Sequence, residues 1–78
     1  MSIDATDLRA ARAALGLSAA GFAKLVRVES GRTVRRWESG ERDIPGPVAV
    51  IVEALMASRS VRRYFGVAIE ADSTAKSE

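Results

Sequence analysis

The chain has 78 residues, which suffice for one compact domain with a modest core. It contains no cysteine and no histidine, which excludes disulfides, thiolate nucleophiles, structural zinc sites and the most common general base. We therefore expect neither an enzyme nor a protein that binds a metal or a cofactor. The apolar runs are too short to span a bilayer and residues 1–4 lack the features of a signal peptide, so we expect a soluble, cytoplasmic protein with no membrane partner.

The charge is unevenly distributed along the chain. The net charge is only +2, yet residues 24–63 hold nine lysines and arginines against five acidic residues. A basic stretch on a small domain indicates a polyanionic partner. The alternative is that these arginines simply form a solvated helix surface, and composition alone leaves both interpretations open.

Two short helices are predicted near the beginning of the chain. The first starts after a cap at Asp4 or Thr6 and ends at Gly16, since glycine commonly lies just beyond a helix end. Ser18 is predicted to cap the second helix, in which apolar residues recur at the spacing of a buried stripe: Phe22, Leu25 and Val26.

A third helix follows the second after a short connection. Residues 27–29 form this connection, Ser30 is predicted to cap the helix, and Gly40 ends it. Two short helices joined by about four residues are typical of a helix-turn-helix. The motif would occupy about residues 18–39.

The C-terminal third is predicted to add two more helices. Residues 40–46, GERDIPG, break the helical pattern, and Pro47 suits the first turn of a fourth helix. Ser60 is predicted to cap a brief fifth helix that ends at Gly66. The predicted fold is therefore all-α, a compact bundle of four to five helices.

The predicted domain covers residues 4–66. Residues 67–70 could form a short strand, cover an exposed edge or contribute to a dimer. Residues 71–78, ADSTAKSE, have the composition of a disordered tail.

The third helix has two unlike faces. At about 100° per residue, Val34 and Trp37 share one side, which we expect to be buried, whereas Arg32, Arg35 and Arg36 lie away from it. An arginine-rich outer face is usually a solvated surface. The helix-turn-helix context instead favours a face that enters the DNA major groove, where the planar fork of arginine can bond guanine O6 and N7.

Three segments carry a resemblance to a known family: residues 15–18 (LGLS), 22–25 (FAKL) and, above all, 33–42 (TVRRWESGER). With these segments the chain resembles the phage-repressor-like helix-turn-helix family, also called the XRE or Cro/C1 family, over about residues 8–56. The resemblance implies the phage-repressor type of DNA-binding bundle. It also implies double-stranded DNA as the partner and a small transcriptional repressor or autoregulator as the function.

The resemblance also implies roles for individual residues. Base contacts are expected from Gly31, Arg32, Thr33, Arg35 and Arg36. Contacts to the DNA backbone are expected from Ser18, Arg27, Ser30 and Arg42. The structural core of the motif would be Phe22, Ala23, Val34, Trp37 and Glu38, with Glu38 paired to Arg12 rather than Arg9.

The chain departs from the family pattern at two places. Many members have glutamine, which contacts phosphate, at the position of Ala19, so we expect that contact to be missing. The stretch from Ala23 to Trp37 is one residue longer than usual, which puts the extra residue in the turn before the third helix. Gly31 and Arg32 could therefore exchange importance at the DNA.

Helices four and five offer more apolar surface than a domain of this size easily hides. We expect a homodimer on a palindromic operator, with an interface formed by Val52, Leu55, Met56, Tyr64 and Phe65. These residues could instead simply complete the core. An alternative function is that of an antitoxin or another protein-interaction module, whose C-terminal part binds a protein partner.

Overall fold

The computed structural model describes residues 3–72, which form the predicted all-helical bundle. The helices are α1 (Ala5–Ala14), α2 (Ala19–Val26), α3 (Gly31–Glu38), α4 (Gly46–Ala57) and α5 (Arg59–Phe65). Helical backbone resumes at residues 70–72, and no strand occurs within the described part of the chain. None of the helices described is long and apolar enough to cross a membrane.

The starts of the first two helices follow from their capping residues. Asp4 caps α1 and Asp7 returns the bond: the Asp7 N–H donates to Asp4 Oδ1 at 2.8 Å, and the Asp4 N–H donates to Asp7 Oδ2 at 3.2 Å. Ser18 caps α2 by accepting the Gly21 N–H at 3.0 Å. Of the two predicted caps for α1, Asp4 is therefore the one used.

One core joins α1, α2, α3 and α4. Its buried side chains are Leu8, Ala11, Ala19, Phe22, Ala23, Val34, Trp37, Val48 and Val52. Helix α2 packs most extensively against α3, and α1 contacts both α3 and α4. The predicted burial of Phe22, Ala23, Val34 and Trp37 is confirmed, and this core fixes the orientation of α3.

The predicted start of α5 is wrong by two residues. Ser58, not Ser60, is its N-cap, and the Ser58 hydroxyl accepts the Val61 N–H at 3.3 Å. Ser58 also ends α4, so the extended backbone at this one residue separates the two helices. The strand considered for residues 67–70 is absent, and residues 67–69 have no regular secondary structure.

The prediction that a disordered tail begins at residue 71 is wrong for residues 71 and 72. Ala71 and Asp72 have helical backbone, and Asp72 is buried beside Arg62. Arg62 Nε and Nη2 donate to the two carboxylate oxygens of Asp72, each at 2.7 Å. Because a buried guanidinium requires a partner, this ion pair holds the segment against α5. The rest of the predicted tail, residues 73–78, lies outside the described residues.

Two residues of the predicted dimer interface belong to the core instead. Val52 is 2% exposed and Leu55 is fully buried, because both lie on the side of α4 that packs inside the bundle. Met56, Tyr64 and Phe65 are exposed, and Tyr64 most of all, at 84%. The Tyr64 and Phe65 rings contact each other edge to face, with centroids 5.1 Å apart.

Candidate nucleic-acid interface

The outer face of α3 carries a basic recess. Arg32, Arg35 and Arg36 line it together with Ser39 and Glu41. Arg32 and Arg35 are exposed and Arg36 is partly buried, while Val34 and Trp37 hold the opposite side of the helix in the core. We call this surface, defined by Arg32, Arg35 and Arg36, the α3 basic face.

Glu41 gives the α3 basic face a carboxylate that sequence reasoning missed. Its Oε2 lies 3.7 Å from Arg36 Nε, and both side chains remain open to solvent. The chain turns back after Gly40, whose φ is +84°, and the Arg42 N–H then donates to the Arg36 carbonyl at 3.2 Å. In the sequence, the only signal for this pair was the spacing of five residues between Arg36 and Glu41, across the turn at Gly40. An exposed pair at this distance contributes about 0–1 kcal/mol, so Arg36 can leave it easily.

Glu38 fixes the position of α3 relative to α1. Arg12 Nε donates to Glu38 Oε2 at 2.6 Å, Arg12 Nη2 donates to Oε1 at 2.9 Å, and Arg12 Nη1 donates to the Leu17 carbonyl at 3.0 Å. The hydrogen bonds to Glu38 raise the pKa of the Arg12 guanidinium above its ordinary value, against the opposing effect of burial. The predicted choice of Arg12 over Arg9 is confirmed, and the role of Glu38 is structural.

Gly31 faces the protein rather than a ligand, which corrects its prediction as a base contact. It is buried at the start of α3, and a Cβ there would lie 2.8 Å from the backbone nitrogen of Ala20. The glycine is therefore required because α2 and α3 approach each other so closely. The longer turn left open whether Gly31 or Arg32 is the more important contact to the DNA, and of these two only Arg32 is on the surface.

The residues predicted to contact the DNA backbone are not gathered in one place. The Ser18 hydroxyl already caps α2, whereas Ser30 precedes α3 without a capping bond from its side chain. Arg27 ends α2 in the left-handed conformation, with φ 65°, and its side chain is exposed. Arg42 lines a different recess, beside Trp37 and residues 3–5 at the start of α1.

Within residues 3–72, no cluster of three or more acidic side chains could hold a metal ion.

Thr33 is half-buried on α3 and does not line the recess formed by the three arginines.

Two short helices joined by a four-residue turn, with a basic outer face on the second, define a helix-turn-helix DNA-binding protein. The family model described as "Helix-turn-helix" matches residues 8–57. The chain belongs to this family, of the Cro/C1 type, whose members bind DNA in transcription regulation. No curated protein matches the chain.

Proposed function

We propose that the protein is a transcriptional repressor that binds double-stranded DNA sequence-specifically and regulates its own synthesis. One observation carries the proposal: α3 presents three arginines to solvent while Val34 and Trp37 anchor its other side in the core. A helix held in this way can enter the major groove, which is wide enough to admit it. The guanidinium groups can then bond base edges and phosphates.

Arg32 and Arg36 are the proposed base readers. They lie one helical turn apart on the side of α3 opposite Val34, and each can bond one guanine in a bidentate manner. Arg36 leaves its weak, solvent-exposed pair with Glu41 on binding, at a cost of at most about 1 kcal/mol. Thr33, in the first turn of the helix, is a further proposed base contact beside them.

The proposed sequence-independent part of binding comes from residues outside the α3 basic face. The Ser30 hydroxyl and the first N–H groups of α3 lie at the positive end of the helix dipole, which favours a phosphate. Arg27, Arg42 and the Ser18 end of α2 are the other proposed backbone contacts. Such contacts orient the protein on the duplex without reading its sequence.

We also propose a homodimer on a palindromic operator. Met56, Tyr64 and Phe65 supply the exposed apolar surface, and two copies would present two α3 helices to successive major grooves about 34 Å apart. Sedimentation equilibrium tests this interface. Tyr64→Ala is expected to weaken self-association, and Val50→Ala, which removes another exposed apolar side chain, is expected to leave it unchanged. A wild-type protein that stays monomeric at micromolar concentration contradicts the interface.

The protein-partner function receives less support. It relies on α4, whose Val48, Val52 and Leu55 are buried in the core, and on the C-terminal tail, of which residues 73–78 lie outside the described residues. The exposed arginines of α3 support DNA as the partner.

Selection of duplexes from a random pool tests the proposed function. The purified protein is expected to enrich an inverted repeat, and a promoter that carries this repeat is expected to lose reporter expression when the protein is supplied. No enrichment over the starting pool would refute sequence-specific binding. Enrichment without loss of expression would refute the repressor role.

Two arginine variants test the division of labour at the DNA. Arg36→Ala is expected to cost about 1–3 kcal/mol on the selected site and to relax preference at one position. Arg42→Ala is expected to weaken binding to all duplexes similarly and to flatten the salt dependence. Equal effects of both changes on every duplex would contradict the separation of base reading from backbone contact.

A further inference from the structure

A second recess lies between α1 and α3, beside the α3 basic face. It is lined by Arg9, Arg12, Ala19, Arg35, Glu38 and Ser39. Three helices therefore contribute to it: α1 with its two arginines, the first residue of α2, and the last turn of α3 together with Ser39. We call it the α1–α3 recess.

The charge of the α1–α3 recess comes from Arg9 and Arg35. Arg12 and Glu38 neutralise each other through their paired hydrogen bonds of 2.6 and 2.9 Å. Arg9 and Arg35 are exposed, and neither forms an ion pair or a side-chain hydrogen bond with any residue in 3–72. The recess thus contains one ion pair, whose charges cancel, and two guanidinium groups without an ion-pair partner among residues 3–72.

The two recesses form one continuous surface. Arg35 and Ser39 line both of them, so the α1–α3 recess begins where the α3 basic face ends. On the helical wheel, Arg35 lies about 100° from Val34, between the buried side and Arg32. Arg35 therefore lies at the edge of α3 that borders α1. Arg32 and Arg36 lie on the side of α3 that faces away from the core.

We propose that Arg9 and Arg35 together bind one phosphate of the DNA backbone at the rim of the groove that α3 enters. This inference rests on the proposed DNA binding and extends the footprint to α1. Two guanidinium groups can share one phosphate through charge-assisted hydrogen bonds. Arg35 then positions the protein on the duplex instead of reading a base, and Arg9 joins the interface from outside the helix-turn-helix.

Binding measurements on the full chain test the role of Arg9. Arg9→Ala is expected to weaken binding to the selected duplex about tenfold and to lower the slope of log K against log salt by at most about 0.9 per half-site, the contribution of one fully neutralised phosphate. Arg59→Ala is the matched control, since it removes the same charge from an exposed arginine on α5 that lines neither recess. Both side chains are exposed, so both variants are expected to melt at the wild-type temperature.

A phosphate scan identifies the contact itself. Each phosphate of the selected duplex is replaced in turn by an uncharged methylphosphonate. At one phosphate per half-site, the replacement is expected to cost wild type more affinity than it costs Arg9→Ala or Arg35→Ala, each of which keeps only one of the two guanidinium groups there. The proposal is overturned if Arg9→Ala binds like Arg59→Ala, or if the two variants lose sensitivity at different phosphates. Failure of wild type to select any duplex would refute the proposed function, which keeps the two failures distinct.

Discussion

Replacing Gly31 with alanine is expected to destabilise the protein by about 1–3 kcal/mol, the usual cost of overpacking. The new Cβ would lie 2.8 Å from the Ala20 nitrogen, 3.1 Å from the Ala19 carbonyl carbon and 3.1 Å from the Ala20 Cα. All three are backbone atoms, so no side chain can rotate away. To reach the 3.4 Å of ordinary contact, α2 and α3 must separate by about 0.6 Å. That motion disturbs the core between them and moves the α3 basic face.

Gly46→Ala is the matched control for this substitution. Gly46 is likewise the first residue of a helix, and a Cβ there meets no atom of another part of the fold within 4 Å. Alanine restricts the unfolded chain, which stabilises the fold, but a residue with a Cβ is disfavoured in helical backbone before Pro47, so we expect a net change within about 1 kcal/mol of zero. Thermal denaturation followed by circular dichroism measures both variants, and each kcal/mol corresponds to about 4–8 °C in a domain of this size. A Gly31→Ala protein as stable as Gly46→Ala would refute the close-packing argument.

Three further predictions concern stability. Glu38→Ala should cost about 1–3 kcal/mol in urea unfolding, because Arg12 loses a charged partner; an unchanged midpoint would show that the pair contributes nothing. Trp37→Ala should cost about 3–5 kcal/mol in the same assay, and a wild-type midpoint would mean that Trp37 is not core. Hydrogen bonds from Arg62 lower the pKa of Asp72 in the folded state, so this stabilisation is present above the unfolded pKa of about 3.9 and is lost as the pH falls below it. Between about pH 5 and 2, the melting temperature should therefore fall more steeply with decreasing pH for wild type than for Asp72→Asn. An equal fall for both proteins would contradict the linkage.

The first three helices were predictable because their signals are local. Asp4 and Ser18 are capping residues, Phe22 and Leu25 recur at helical spacing in α2, and Val34 and Trp37 do so in α3, so a few neighbouring residues determine each element. The pairing of Glu38 with Arg12, 26 residues away, followed from the family resemblance and not from local pattern.

Apart from the misplaced cap of α5, the errors arise where distant parts of the chain meet. Gly31 is a glycine because α2 lies 2.8 Å from the place of its missing Cβ, and no local pattern reports that distance. Val52 and Leu55 were predicted to lie at an interface because apolarity alone does not separate a core from a dimer contact. The pairing of Arg62 with Asp72 depends on how the chain turns after α5.

Placement of α3 in the major groove is tested most directly by dimethyl sulfate probing of the selected duplex. The reagent methylates guanine N7 in the major groove and adenine N3 in the minor groove, so it distinguishes the two sides of the DNA. Wild type is expected to protect guanine N7 in each half-site, and Arg36→Ala is expected to lose protection at one guanine of each half-site while keeping the others. Protection confined to adenine N3, or an identical pattern for both proteins, would contradict base reading by Arg36 in the major groove.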